Sequence, residues 1–558
     1  MLLARAHHPT LRRLAVDALA LTVAAGAGVA ALRAATVQRA SASDTRPSLQ
    51  DIVRRSPALR EDIGRSHEAV TTSIPRAQAF YDQGLAYLHS YVWLEAARSF
   101  TEALRADSDL AMAHLGLSYA LGELGLGDEA RASSRAAQRL AATVSDRERL
   151  RIQIRARQLE AADQRPGAAA QSAYAKALED ALAKFPSDVE LLLLVGQAQD
   201  PPLASHGLDH ESRSLPFYRK ALDRSKDYFA VHHYLAHAYE NMNRVDLALE
   251  HAERYAHDAT GISHAHHMLG HMLRRLDRIE DAIAEFVRAD EIETAYLRRE
   301  AIPAEYDWHY RHNLNLLGMA YQYVGRMNAA AIPLRRAFEL DTAVPPADDL
   351  TRTEWPAFLL SQGRAGESLA AARTLVASSS PLLQALGHLL ASRALQAQKR
   401  HEDAAAEGNL ALQHMRAAGP LGGVLVPEFQ VTQGEFLSRR GDTKGGRAMV
   451  RDGVEKLRAQ SGPDAWAHAL FSLEAAARTA REVGDWELAS ELADDMRMDD
   501  GSYAGTEYEL GLVAEHKGDR PAAATHFRAA VGKWGNADPD LPALQDARRR
   551  WSAATQPK

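Results

Sequence analysis

The feature that most limits what this chain can fold into is an internal period of 34 residues. In a frame starting at residue 77, Phe80, Gly84, Tyr87, Ala96, Phe100 and Ala103 occupy positions 4, 8, 11, 20, 24 and 27, and Ala130 and Ala137 repeat positions 20 and 27 one unit later. The frame restarts at 229 (Leu235, Ala236, Tyr239, Ala248), 263 (Leu269, Gly270, Ala282, Phe286, Ala289), 311 (Leu317, Gly318, Tyr321, Ala330, Ala337) and 504 (Leu510, Gly511, Ala523, Phe527, Ala530). Small residues recur where two helices would cross closely, and large apolar ones where they would fill the gaps between them. A period this long implies stacked supersecondary units that bury their apolar faces only against their neighbours. Composition agrees: aromatics are only 6% of the 558 residues and long Val/Ile/Thr runs are missing, so the chain reads as all-α.

The pattern resembles the tetratricopeptide repeat, a helix–turn–helix of 34 residues that stacks into a right-handed superhelical solenoid. The resemblance spans about residues 77 to 535, with degenerate stretches at 200–216 and 345–375. It predicts an N-terminal array over 77–345, a degenerate C-terminal array over 346–535 and a polar tail or capping helix over 536–558, because terminal repeats need a wet outer face. Trp355-Pro356 and Gly419-Pro420-Leu421-Gly422-Gly423 predict breaks between sub-arrays. Two insertions interrupt the frame: Asp200 to Pro216, and Leu297 to Tyr310, the latter expected as a lengthened second helix plus a loop carrying Tyr306, Trp308 and Tyr310.

Ahead of the repeats, Arg5, Arg12 and Arg13 precede the uncharged stretch Ala18–Leu32 and the small-residue site Ala40-Ser41-Ala42. This layout predicts a bacterial export signal over 1–42, cleaved or kept as a membrane anchor, and a periplasmic location, with a polar linker over 43–76. Arg12-Arg13 followed by Leu14-Ala15-Val16 loosely resembles a twin-arginine signal. Gly26-Ala27-Gly28 follows no strand and opens no βαβ unit, so it predicts no dinucleotide loop.

Histidine is the chemical anomaly. Residues 229–312 hold eleven of the chain's 24 histidines, roughly three times an even share. His233 and His237 are positions 5 and 9 of their unit, and His267 and His271 are positions 5 and 9 of the next. His264 and His312 both take position 2, and Glu240 takes position 12. In tetratricopeptide arrays positions 2, 5, 9 and 12 face the concave groove, so the resemblance implies that all seven point into one hollow. Residues four apart on a helix have Cβ atoms roughly 5–6 Å apart, and packed helices lie roughly 8–10 Å axis to axis, so such pairs can converge on one or two metal ions. His232, His266 and His309 adjoin the set at other frame positions and are secondary candidates; His251, His257, His388 and His468 read as structural or solvated.

His233-Tyr234-Leu235-Ala236-His237-Ala238-Tyr239-Glu240, His264-x-x-His267-Met268-x-x-His271 and Tyr310-Arg311-His312-Asn313-Leu314 resemble a set of large bacterial tetratricopeptide proteins carrying HYxxHxxE, HxxHMxxH and YxHNL in this order. The chain departs from that set at Met272-Leu273, where an aliphatic-aromatic pair is usual, and at Asn315, where a further histidine is common.

The absence of cysteine removes thiolate metal sites, leaving imidazole and carboxylate to hold zinc, copper(II), iron or nickel. Ligation needs neutral imidazole, so affinity is expected to fall below about pH 6. Tyr234 follows His233, so HExxH is absent and a thermolysin-like peptidase is disfavoured. Glu240 remains a candidate general base, and Asn313, Tyr310 and Arg274 candidate holders of an anionic substrate of a metal-dependent enzyme. P-loop, G-x-S-x-G and kinase signatures are missing. The alternative is an adaptor whose groove binds a partner peptide without metal. With 66 Lys+Arg against 73 Asp+Glu, no global basic field favours nucleic acid, and the arginine run Arg147, Arg149, Arg151, Arg155, Arg157 reads as the solvated face of a helix.

Overall fold

A computed structural model describes residues 46–163, 168–199, 212–341, 343, 349–459 and 465–555. The expected export signal and most of the insertion at 200–216 lie outside these residues. Among the described residues the structure is all-α, without strands. In chain order the helices are α1 (Leu49–Val53), α2 (Pro75–His89), α3 (Trp93–Ala106), α4 (Ala111–Glu123), α5 (Gly127–Leu140), α6 (Asp146–Asp163), α7 (Ala168–Lys184), α8 (Val189–Gln199) and α9 (Leu215–Arg224). There follow α10 (Phe229–Asn241), α11 (Val245–Asp258), α12 (Ser263–Arg275), α13 (Ile279–Arg299), α14 (Trp308–Tyr323) and α15 (Met327–Glu339). The remainder are α16 (Glu354–Ser361), α17 (Ala365–Val376), α18 (Pro381–Ala397), α19 (His401–Ala417), α20 (Val426–Arg439), α21 (Thr443–Ala459), α22 (Ala465–Glu482), α23 (Trp486–Asp499), α24 (Ala504–His516), α25 (Arg520–Lys533) and α26 (Pro542–Thr555). Consecutive helices pair as tetratricopeptide-type hairpins. No described helix is long and apolar enough to cross a membrane.

The repeat frame has a backbone cause. Position 15 of each well-formed unit is left-handed: Tyr91, Gly125, Asn243, Asp277, Gly325 and Gly518 have φ between 55° and 79°. Each sits just past the C-terminus of a first helix. The next amide then closes a bond to the carbonyl five residues back, as in Arg244 N to Tyr239 O, Arg278 N to Leu273 O and Arg326 N to Tyr321 O, all 2.9 Å. This is the six-to-one bond of a Schellman ending, which satisfies an orphan carbonyl while turning the chain sharply into the second helix. In four of the pairs position 8 is glycine because the side chain sixteen residues later lies against it, while Ser118 and Ala236 take that position in the units at 111 and 229. A Cβ would fall 2.7 Å from Phe100 at Gly84, 2.6 Å from Phe286 at Gly270, 2.4 Å from Leu334 at Gly318 and 2.6 Å from Phe527 at Gly511.

The described chain divides into two units, one of residues 46–60, 66–199 and 216–227 and the other of 61–65, 212–215 and 228–555. The division lies before the histidine-rich repeats, and the described residues on both sides of the expected boundary at 345 belong to the second unit. In the first unit, the expected linker carries α1, which buries Leu49, Ile52 and Val53. The arginine run is only partly a solvated face. Arg151 and Arg155 are buried, Arg151 against Glu68 and Arg155 on Ser118 and the ring of Tyr119. Ile152 and Ile154, also buried, flank these two arginines on either side of α6, so the buried face of the helix is broad.

In the second unit, α12–α14 share one apolar core with α20–α23. The Tyr323 hydroxyl lies 3.1 Å from Asp500 Oδ1, and Arg326 and Asn536 both donate to Glu280 Oε1 at 2.6 and 3.0 Å. Helix α26 closes the array by burying Leu544 and Ala547 against α24 and α25. Trp355-Pro356 does not break a helix: Pro356 sits in the first turn of α16, where its missing N–H is no loss. Gly419–Leu425 does interrupt α-structure, as a 3-10 turn.

Candidate metal centre

The frame delivers its histidines from the first helices of three successive hairpins. α10 supplies His233, His237 and Glu240, α12 supplies His264, His267 and His271, and α14 supplies His312. The lengthened α13 pushes the start of α14 to Trp308, three residues ahead of the expected 311, and Asp307 caps it by accepting from the amides of His309 (2.9 Å) and Tyr310 (3.2 Å).

The six histidines form two adjacent triads, His233/His237/His264 and His267/His271/His312, each with one ligand atom per residue lying within 4.8 Å of the others. In the first triad His264 Nε2 lies 3.1 Å from His233 Nε2 and 3.4 Å from His237 Nε2. In the second, His267 Nε2 and His271 Nε2 are 2.9 Å apart. The triads adjoin through His264 and His267, whose ring centres are 5.8 Å apart. His237 and His312 are the partly exposed members, and the other four are buried. Trp308 lies against His264 and His312, with ring centres 6.0 and 6.4 Å away.

Glu240 is buried but stands behind the second triad: its Oε1 is 3.2 Å from His271 Nδ1 and 3.8 Å from an Arg275 nitrogen. Asn313 plays the same part for His267, its Oδ1 lying 3.0 Å from His267 Nδ1 while its Nδ2 donates to Phe286 O at 3.0 Å. Tyr310 packs outward against α13 and α15, its hydroxyl contacting Thr294 and Arg336.

These contacts fix tautomers. A backbone carbonyl can only accept, so the Asn313 amide nitrogen faces Phe286 and its oxygen faces His267. His267 Nδ1 must therefore carry the proton, and the Glu240 carboxylate demands the same of His271 Nδ1. His267 Nε2 is left with a lone pair facing His271 Nε2 at 2.9 Å, and a neutral His271 presents a second lone pair to it. Burial first, then repulsion among neighbouring imidazoles, holds His264 and His267 well below the ordinary histidine range, so both rings are neutral at pH 7.

His309, a secondary candidate in the sequence, stands inside the cluster. It is 4% exposed, its ring centre is 4.6 Å from that of His267 and 5.0 Å from that of His264, and its Nδ1 is 2.9 Å from Glu293 Oε2. Burial draws it down to about 3, against the pull of Asp307. The frame missed it because it falls in the insertion; the signal available was the Asp-x-His at a helix start. The other two secondary candidates are tied up between helices, His232 with His251 (2.9 Å) and His266 with Glu285 (2.7 Å).

No family model matches the chain, and no curated protein matches it. Solved structures do. YrrB, a TPR protein with an unusual peptide-binding site, is 16% identical over 37% of this chain and 95% of its own, with a TM-score of 0.26. Yeast Tom70 is 11% identical over 86% of this chain and 89% of its own, with a TM-score of 0.31. A human IFIT1 dimer with m7Gppp-AAAA is 12% identical over 83% and 91%, with a TM-score of 0.34. The tetratricopeptide assignment rests on the chain's own repeating hairpins.

Proposed function

We propose that the protein is an exported tetratricopeptide scaffold whose two histidine triads hold divalent transition-metal ions. The observation that carries this reading is the pair of Nε2 lone pairs of His267 and His271, oriented toward each other by Asn313 and Glu240. Two lone pairs at that distance repel unless a cation lies between them. A proton carried by His271 beside the Glu240 carboxylate is the other candidate, and metal loading separates the two. The spacing suits a metal: a tetrahedral ion with nitrogens at roughly 2.0–2.1 Å separates its ligand atoms by about 3.3 Å, and the His233–His264, His237–His264 and His267–His271 Nε2 pairs lie 3.1, 3.4 and 2.9 Å apart, with every ligand atom of a triad within 4.8 Å of the others. An all-imidazole set is borderline in softness, which favours zinc, copper(II), iron or nickel over magnesium or calcium.

Each triad leaves a coordination position for water or substrate, and the partly exposed His237 and His312 mark the open side. Export to the periplasm is part of the proposal and rests on the N-terminal layout alone.

The test is elemental analysis and calorimetric titration of untagged, chelator-stripped full-length protein. Wild type should take up two ions per chain at neutral pH. His267→Ala/His271→Ala and His233→Ala/His237→Ala should each lose one ion while keeping most helical content, since the array folds through the nearest-neighbour packing of many repeats. Failure of wild type to load any of the four metals would overturn the reading and leave the peptide-binding adaptor as the function to pursue.

A further inference from the structure

Seven imidazoles crowd this groove, and the two triads account for six. The seventh, His309, stands beside both triads, outside either group of ligand atoms but with its ring against His267 and His264. Its Nδ1 lies 2.9 Å from the Glu293 carboxylate and 3.4 Å from Ser263 Oγ. The carboxylate accepts, so Nδ1 carries the proton and Nε2 carries a lone pair. That Nε2 is buried and has no hydrogen-bond partner among the described residues. A buried acceptor left unsatisfied costs on the order of 1–3 kcal/mol, and such an atom in a native fold calls for an explanation. The ring supplies one: it stands edge to face against His267 at 77° and His264 at 84°. Carboxylate, imidazole and metal in line is the arrangement by which proteins fix the tautomer of a ligating histidine and raise its basicity.

We propose that His309 is a fourth imidazole ligand of the ion held by His267, His271 and His312, with Glu293 as its positioning residue. The second site is chosen over the first because His267 is its nearer imidazole neighbour and because His309 and His312 project from the same turn of α14. Three histidines of that site then share one design. His267 is backed by Asn313, His271 by Glu240 and His309 by Glu293, each through Nδ1. Four imidazoles would close this ion to substrate and make it structural, leaving the first triad, with its open position, as the reactive or exchangeable ion.

This inference rests on the metal-binding reading, and the experiment separates the two. Chelator-stripped full-length protein is titrated with zinc alone. Loss of His309 should lower the affinity for one of two ions by more than the ~10–100-fold usual for disturbing a residue that only orients a ligand, and leave the other unchanged. Glu293→Gln should weaken the same ion by a smaller factor. His309→Ala should not unfold α14, because Asp307 caps that helix through backbone amides. A zinc-soaked crystal of the wild type gives a readout independent of any variant: His309 Nε2 is expected at roughly 2.0–2.1 Å from the ion. Two ions bound with His309 outside coordination distance, or with unchanged affinity in His309→Ala, would overturn the assignment while leaving the triads standing. No zinc in the wild type would instead remove the reading beneath it.

Discussion

Replacing Gly270 by alanine tests the register on which the histidine argument depends, because two opposing effects of known size meet there. In a helix interior alanine is favoured over glycine by about 0.8–1.0 kcal/mol. At Gly270 the added Cβ would lie 2.6, 2.8 and 3.0 Å from three ring carbons of Phe286, which is 1% exposed. The ring has to retreat by several tenths of an ångström into a core that also holds His267 and His271, with ring centres 5.7 and 6.1 Å away. Overpacking of this kind costs typically ~1–3 kcal/mol, so the net change should be destabilising by up to about 2 kcal/mol. Gly532 on α25 is the control. A Cβ added there would meet nothing within 4 Å, so Gly532→Ala should stabilise by up to ~1 kcal/mol. Gly270→Ala combined with Phe286→Leu should be less harmful than the two single changes added, because the smaller side chain leaves room for the methyl. A repeat array need not unfold in one step, so the assay is hydrogen exchange read on peptides covering 263–299, alongside denaturant melts. If Gly270→Ala slows exchange there as Gly532→Ala does around 532, the crossing is not where the frame puts it.

Glu240→Gln should keep two ions per chain but weaken one of them ~10–100-fold in calorimetry, as expected of a residue that orients a ligand; loss of a whole ion would make Glu240 a ligand itself. Lys399→Gly should raise the denaturation midpoint, since Lys399 holds φ 59° on the surface and the relief of ~1–2 kcal/mol exceeds the entropy cost of glycine. His468 binds Glu354 at 3.0 Å and Glu428 at 2.8 Å; burial opposes its charge, but these bonds raise it to about 10. Its stabilising share is therefore complete below about pH 6.5 and fades as pH climbs toward 10, so His468→Gln should flatten the alkaline side of the stability profile.

The frame was legible because it is written in residues whose chemistry is local. A left-handed position 15 and a glycine under a large side chain repeat at fixed spacing, and they place α10, α12 and α24 at 229, 263 and 504 within a residue. The groove histidines followed from the same frame. Three things did not follow. His309 lies in an insertion, where the frame has no position to assign. Glu240 stood at a groove position, but only the direction of His271 decided that it meets Nδ1 rather than the lone-pair side. The packing of α14 against the segment around Asp500, 177 residues away, depends on the summed curvature of intervening repeats, which no single repeat encodes. The arginine run shows the same limit, since its spacing marks an amphipathic face but not that Glu68, from outside the repeats, would cover Arg151.

A cluster built for metal should be a liability without it, and acid makes this measurable. His251, His264, His267 and His309 all have folded pKa values pushed below the ordinary histidine value, by burial first and, in the groove, by neighbouring imidazoles. The sign follows directly. Below about pH 6.5 the unfolded chain binds protons that the folded chain refuses, so stability falls as pH drops, by about 1.4 kcal/mol per pH unit for each such group. Four groups acting together make a loss of several kcal/mol by pH 5.5, a large part of the roughly 5–15 kcal/mol that holds a domain folded. Metal bound to neutral imidazole adds its own linkage to the folded side and shifts the transition to lower pH. Hydrogen exchange of peptides from 229–323 should therefore lose protection between pH 6.5 and 5 in chelator-stripped protein and keep it in metal-loaded protein. Repeats α2–α5, which carry no such cluster among the described residues, should respond equally little in both forms. Acid lability of 229–323 that is unaltered by metal would mean that the imidazoles are satisfied by the protein alone, and that the groove was built to bind something else.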